Sequence, residues 1–216
     1  MEYISTRNKK KNFTFKDVFL KGLAPDGGLF IPKNIPSYTS KELNNLKSFS
    51  YNELAAKIIM EFCGDEFDEE EIKKLVKNSY KKFRSQDVVK INKLGNLNLL
   101  ELFYGPTLAF KDIAMQIIGN MYEKILKKNN LKINIVVATS GDTGAAAIDA
   151  IKDRNNMKIF VLHPENKISE VQRKFMTTVN SNNVFNIAVS SNFDECQNLV
   201  KLMFADKKFS NSINMS

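Results

Sequence analysis

Apolar residues follow two rhythms along this chain, and the two occupy different stretches. From about residue 39 to 84 they recur at helical spacing. The run Tyr51-Asn52-Glu53-Leu54-Ala55-Ala56-Lys57-Ile58-Ile59-Met60-Glu61-Phe62 is amphipathic and stops near Gly64. A second stripe, Ile72, Leu75, Val76 and Tyr80, follows Asp68, a residue suited to start a helix, and Thr39 or Ser40 suits the start of another. Ahead of these, residues 1–35 predict short extended pieces around the turn Ala24-Pro25-Asp26-Gly27-Gly28.

After about residue 85 the rhythm becomes strand, loop, helix. Residues 98–103 predict a strand. The β-branched run Ile133-Asn134-Ile135-Val136-Val137-Ala138 predicts a buried one, followed by a helix over 144–153. Strands are then expected at 158–162 and 184–189. Helices are expected at 168–178, with Ile168, Val171, Phe175 and Met176, and at 193–204, with Cys196, Leu199, Val200 and Met203. Such alternation argues for βαβ units and a parallel sheet. The expected class is α/β: a small, mainly helical domain over 1–84, then part of a parallel-sheet domain over 85–216.

Composition narrows this picture only slightly. A chain of 216 residues, 43% hydrophobic and 26% charged, can bury a core in one large or two small domains. No run approaches the roughly 18 apolar residues of a membrane span. The start, Met1-Glu2-Tyr3-Ile4-Ser5-Thr6-Arg7, has no apolar signal core, so a cytoplasmic protein is expected. The net charge of +8 comes from lysines clustered with asparagine, as in Lys9-Lys10-Lys11-Asn12 and Lys127-Lys128-Asn129-Asn130. These suit solvated faces. No aromatic RNA-binding pattern, zinc spacing or base-reading helix accompanies them, so neither nucleic acid nor membrane is expected as a partner. Cys63 and Cys196 stand far apart, without a metal or disulfide motif, and are expected to pack as small apolar groups. His163 is the only histidine, which excludes a multi-histidine metal site; it is expected in a loop after a strand, in a structural role.

Chemistry enters with Gly105-Pro106-Thr107-Leu108-Ala109-Phe110-Lys111-Asp112. A turn precedes the lysine and a helix follows it, with apolar spacing at Ile113, Ile117 and Met121. The positive end of a helix dipole, and apolar neighbours such as Leu108 and Phe110, favour the neutral amine that a Schiff-base lysine needs. The same residues also suit a solvated lysine that merely follows a turn. A second stretch, Thr139-Ser140-Gly141-Asp142-Thr143-Gly144, lies between a strand and a helix. Its glycines, hydroxyls and helix-start N–H groups can cradle a carboxylate or phosphate. An ordinary turn capped by Asp142 or Thr143 fits equally. The loop lacks the Gly-Lys-Ser/Thr ending of a P-loop and the G-x-G-x-x-G of a dinucleotide fingerprint.

Taken together, four stretches resemble the threonine synthase family. Residues 101–112 are similar to its pyridoxal-phosphate (PLP) lysine motif, 138–146 to its second hallmark, 22–32 to its N-terminal signature and 211–216 to a motif near the middle of the full enzyme. One departure is Tyr104, where many members carry histidine. The resemblance implies a fold-type-II, tryptophan synthase β-like PLP domain, incomplete at the C-terminus, behind the small helical domain typical of the bacterial and fungal enzymes. It implies a carbon–oxygen lyase that converts O-phospho-L-homoserine and water to L-threonine and phosphate. Lys111 would hold the cofactor and move protons; Thr139, Ser140, Gly141, Asp142, Thr143 and Gly144 would bind substrate; Lys167 and Asn214 would meet its phosphate. Aspartate at position 142 favours threonine synthase over the related cysteine synthases and dehydratases. The family's glycine-rich cup for the cofactor phosphate lies beyond residue 216, which implies an N-terminal fragment that is inactive alone. Rival readings are a dehydratase-like enzyme of the same fold and a non-catalytic homologue. An RNA-binding Gly-x-x-Gly module is disfavoured, because the loop should follow a buried strand rather than join two helices.

Overall fold

The computed structural model describes residues 1–216. Two compact units divide it, Met1–Lys81 and Lys82–Ser216.

In the first unit, β1 (Tyr3–Ser5) pairs antiparallel with β2 (Phe30–Pro32), and helices α1 (Phe15–Lys21), α2 (Ser40–Leu46), α3 (Tyr51–Cys63) and α4 (Glu69–Tyr80) complete it. Each helix starts the same way. Thr14, Thr39, Ser50 and Asp68 accept from the backbone N–H three residues on, while Asp17, Glu42, Glu53 and Glu71 reach back to the cap N–H. Gly64, at φ 60°, ends α3 where the sequence predicts. Ile72, Leu75, Val76 and Tyr80 are buried from α4, with Ala56 and Cys63 from α3. Helix α1 lies where only extended pieces are predicted. At seven residues it is under two turns and too short to show a repeating apolar stripe.

In the second unit, β3 (Lys90–Leu94) and β4 (Leu97–Glu101) form an antiparallel hairpin. The strand predicted over 98–103 therefore belongs to a hairpin and not to the parallel sheet. Its period-2 apolar run could not distinguish the two pairings. The chain continues through α5 (Asp112–Lys128), β5 (Ile133–Ala138), α6 (Asp142–Ile151), β6 (Met157–Pro164), α7 (Glu170–Thr177), β7 (Val184–Val189), α8 (Phe193–Ala205) and α9 (Lys207–Ser212). Strands β5, β6 and β7 pair parallel in that order, from Ile133 opposite Met157 and from Ile159 opposite Val184. Residues 214–216 run beside the other edge of β5, Asn134 N–H donating to Asn214 C=O and Val136 N–H to Ser216 C=O. The core holds Ile125, Leu126, Ala146, Ile148, Ile159, Val161 and Met176, none more than slightly exposed. His163 lies inside β6 and is buried, not in a loop, because the strand runs on to Pro164. Both cysteines are buried, as expected. No helix is long and apolar enough to cross a membrane.

Candidate active site

The residues singled out above converge because two helices run alongside each other in the same direction. Gln116 Nε2 donates to Asp149 Oδ2 at 2.8 Å. One turn further, Gly119 packs so closely that a Cβ there would lie 2.6 Å from the Ala150 carbonyl oxygen. Beyond that, Arg154 Nη2 donates to Asn120 Oδ1 at 2.9 Å, and Arg154 pairs with Glu123. Residue numbers rise together on α5 and α6, so the helices are parallel and their N-termini lie at the same end. That end is the carboxyl edge of the sheet, since α6 begins just past the last residue of β5. Lys111 caps α5 and Gly141 caps α6.

The turn before Lys111 is held from below. Asp112 is fully buried, and its carboxylate accepts from Thr107 N–H at 2.8 Å and from Thr107 Oγ1 at 2.7 Å. Burial raises the Asp112 carboxyl above its ordinary value; the Thr107 hydrogen bonds pull it down, and the Asp149 charge adds to the rise. Gly105 lies directly against Asp112, leaving no room for a Cβ, and Leu108 takes a left-handed backbone, φ 65°. Lys111 itself has no carboxylate partner. Its ammonium sits 4.4 Å from the Phe110 ring centroid. Leu108 and Phe110 remain 42% and 57% exposed, so they shield the lysine less than the sequence suggests.

In the second loop, Thr139 is buried and works from underneath: its Oγ1 accepts from both Gly141 N–H and Gly144 N–H at 2.9 Å. The first-turn N–H groups of Asp142 and Thr143 are left without intrahelical acceptors. Ser140 and Asp142 are exposed and Thr143 half-buried. Asp142 Oδ1 accepts from Gln172 Nε2 at 2.6 Å. A carboxylate cannot donate to an anion, so the donors here are the Ser140 and Thr143 hydroxyls and the free N–H groups. Gly141 has φ 136°, and a Cβ there would stand 2.5 Å from Gln172 Cδ.

Lys167 is exposed in the loop after β6, at the same edge of the sheet. Asn214 is not brought there. It pairs beside Asn134, near the start of β5, about four residues or roughly 13 Å of strand away from the loop. Two contributors escape a reading of the sequence: Thr107, which holds Asp112, and Gln172, which holds Asp142. Ser169 and Gln172 do form a capping box that the Ser-x-x-Gln spacing could have shown.

Fold and site define an α/β chain that gathers an unpaired lysine and an anion-accepting helix start at one edge of a parallel sheet. Residues 2–80 match the family described as threonine synthase N terminus. The chain is 44% identical to the threonine synthase of Pseudomonas aeruginosa, over 97% of this chain and 45% of that protein. It is 40% identical to the threonine synthase of Saccharomyces cerevisiae, over 99% of this chain and 45% of that one. Its structure is similar to that of PLP-bound threonine synthase from Brucella melitensis, with a TM-score of 0.92 and 41% identity, covering 100% of this chain and 47% of that one. The chain belongs to the threonine synthase family, and it spans about half the length of the relatives it matches.

Proposed function

We propose that this chain contributes the lysine and the substrate loop of a threonine synthase active site, acting in the cytoplasm on O-phospho-L-homoserine and water to give L-threonine and phosphate. The observation that carries this reading is the parallel arrangement of α5 and α6, which sets Lys111 and the loop 139–144 at one end. The domain assignment proposed with it is a threonine synthase N-terminal domain over 1–84 and the first part of the catalytic domain over 85–216.

The residues present fit PLP. Lys111 is unpaired and lies beside an aromatic ring, where its amine is free to join an aldehyde. When bound, the cofactor would supply the electron sink for carbanion chemistry. Lys111 would hold it and, once released, take the proton from the substrate Cα and return protons at Cβ and Cγ. Ser140, Thr143 and the N–H groups of Asp142 and Thr143 would hold the substrate carboxylate, on a loop set from below by Thr139, Gly141 and Gly144. Lys167 would face the leaving phosphate. Asn214 would join it only if the segment 211–216 left the edge of β5. The chain alone is inferred to turn over weakly or not at all, since the resemblance places the cofactor phosphate's cup beyond residue 216.

Borohydride reduction in the presence of PLP, followed by peptide mass mapping, tests the assignment. An adduct confined to Lys111 supports it. Labelling spread over surface lysines with Lys111 spared overturns it. Phosphate release by this chain at the rate of a full-length relative would overturn the inference of inactivity alone.

A further inference from the structure

The hairpin β3–β4 leaves its apolar side chains in water. Ile91, Leu94, Leu97, Leu99 and Leu100 are each between 51% and 70% exposed. Cross-strand pairing sets Ile91 opposite Leu100 on one face. Leu94 opposite Leu97, and Leu99 opposite Asn92, lie on the other. Both faces therefore carry large exposed aliphatic groups. A two-stranded hairpin is at best marginally stable in water without a further layer, and an apolar patch of this kind marks a surface that takes a partner. The parallel sheet is open as well: β7 is its outer strand, and Phe185 and Ile187 on it are exposed.

Length identifies the occupant. Two threonine synthase structures, from Brucella melitensis and yeast, superpose on 100% of this chain, yet it covers only 47% and 45% of them. We propose that the β3–β4 hairpin is the docking surface for the remaining half of a threonine synthase polypeptide, which covers both leucine-bearing faces. A matching surface would be apolar with an acidic rim, since Lys90 and Lys93 border the leucines. The proposal rests on family membership and not on the catalytic reading, and its test involves neither cofactor nor substrate, so the two fail separately.

The test joins this chain to the part of the Pseudomonas aeruginosa threonine synthase that lies beyond the matched portion. A Leu97→Cys variant is then alkylated with a maleimide, in the chain alone and in the fusion. The two native thiols are buried and stay silent. The expected result is rapid labelling in the chain alone and at least about tenfold slower labelling in the fusion. A control variant at an exposed position, Lys41→Cys, should label equally in both, which separates docking from aggregation. Equal labelling of Leu97→Cys in the two proteins overturns the proposal. Labelling of the chain alone that slows with its own concentration also overturns it, by assigning the hairpin to a second copy.

Discussion

Thr107 and Asp112 close the lysine turn on itself. Thr107 donates twice, through N–H and hydroxyl, to the two oxygens of one buried carboxylate. Hydrogen bonds to a charged group are worth about 1.5–3 kcal/mol each, and a buried acceptor that loses its donor keeps its desolvation cost. Thr107→Val should therefore destabilise the chain by about 2 kcal/mol, while Thr107→Ser, which keeps the donor, should cost under about 1 kcal/mol. Urea unfolding of the two variants checks this; equal losses would show that the methyl group, not the hydroxyl, holds the turn.

The same carboxylate should give stability a pH dependence. Burial places the folded-state value of Asp112 above its ordinary one, with Asp149 adding to the rise and Thr107 opposing it. The folded chain then binds a proton that the unfolded chain has released, so this contribution is fully present below the ordinary carboxylate range and is lost as pH rises through the raised value. Replacing Asp112 by Asn removes that titration. Wild type minus Asp112→Asn, measured by urea unfolding between about pH 3 and 7, should fall as pH rises. A flat or rising difference would mean the Thr107 hydrogen bonds outweigh burial.

Much of this was legible in the sequence wherever local chemistry decides the outcome. Thr39 and Asp68 start helices because a short oxygen side chain three residues ahead of Glu42 or Glu71 satisfies a free N–H. The β-branched run at 133–138 forms a buried-sheet strand because nothing else suits so many adjacent branched residues. What escaped depends on distant residues. Pairing of 97–101 with 90–94 rather than with the sheet, and placement of Asn214 beside Asn134, are choices between strand partners that no local pattern encodes. At the site, the types and order of Lys111 and the 139–144 loop were readable. That Thr139 faces inward, and that Gln172 takes up the Asp142 carboxylate, were not, because burial direction and a contact across thirty residues are set by packing.

The buried thiols should be inert in the folded chain. Burial pushes Cys63 up to about 12, with the Glu66 charge adding to it, and raises Cys196 too. Only a thiolate reacts at a useful rate, and neither sulfur meets solvent. Alkylation at pH 8 should therefore follow unfolding, with both cysteines protected in buffer and both modified in urea. Rapid modification of Cys196 alone in buffer would show that α8 opens locally while the rest stays folded.

Beneath the substrate loop, one hydroxyl supports two glycines. Thr139 Oγ1 accepts from Gly141 and Gly144, and its methyl group fills the space where a Cβ on Gly144 would otherwise go, 2.6 Å from Thr139 Cγ2 and 2.7 Å from Met176 Sδ. Thr139→Val keeps the shape but strands two buried N–H groups, which should cost about 2–4 kcal/mol. Thr139→Ser keeps the acceptor and removes a buried methyl, which should cost about 1 kcal/mol. Gly144→Ala overpacks the same spot and should cost about 1–3 kcal/mol. The double variant Thr139→Ser with Gly144→Ala then becomes informative. The serine removes the Cγ2 atom that the new Cβ would strike, so the pair should be less destabilising than the sum of the two single changes, by about 1 kcal/mol in a double-mutant cycle. Strict additivity would place the Gly144→Ala clash on Met176 instead, and would move the floor of this loop from β5 to α7.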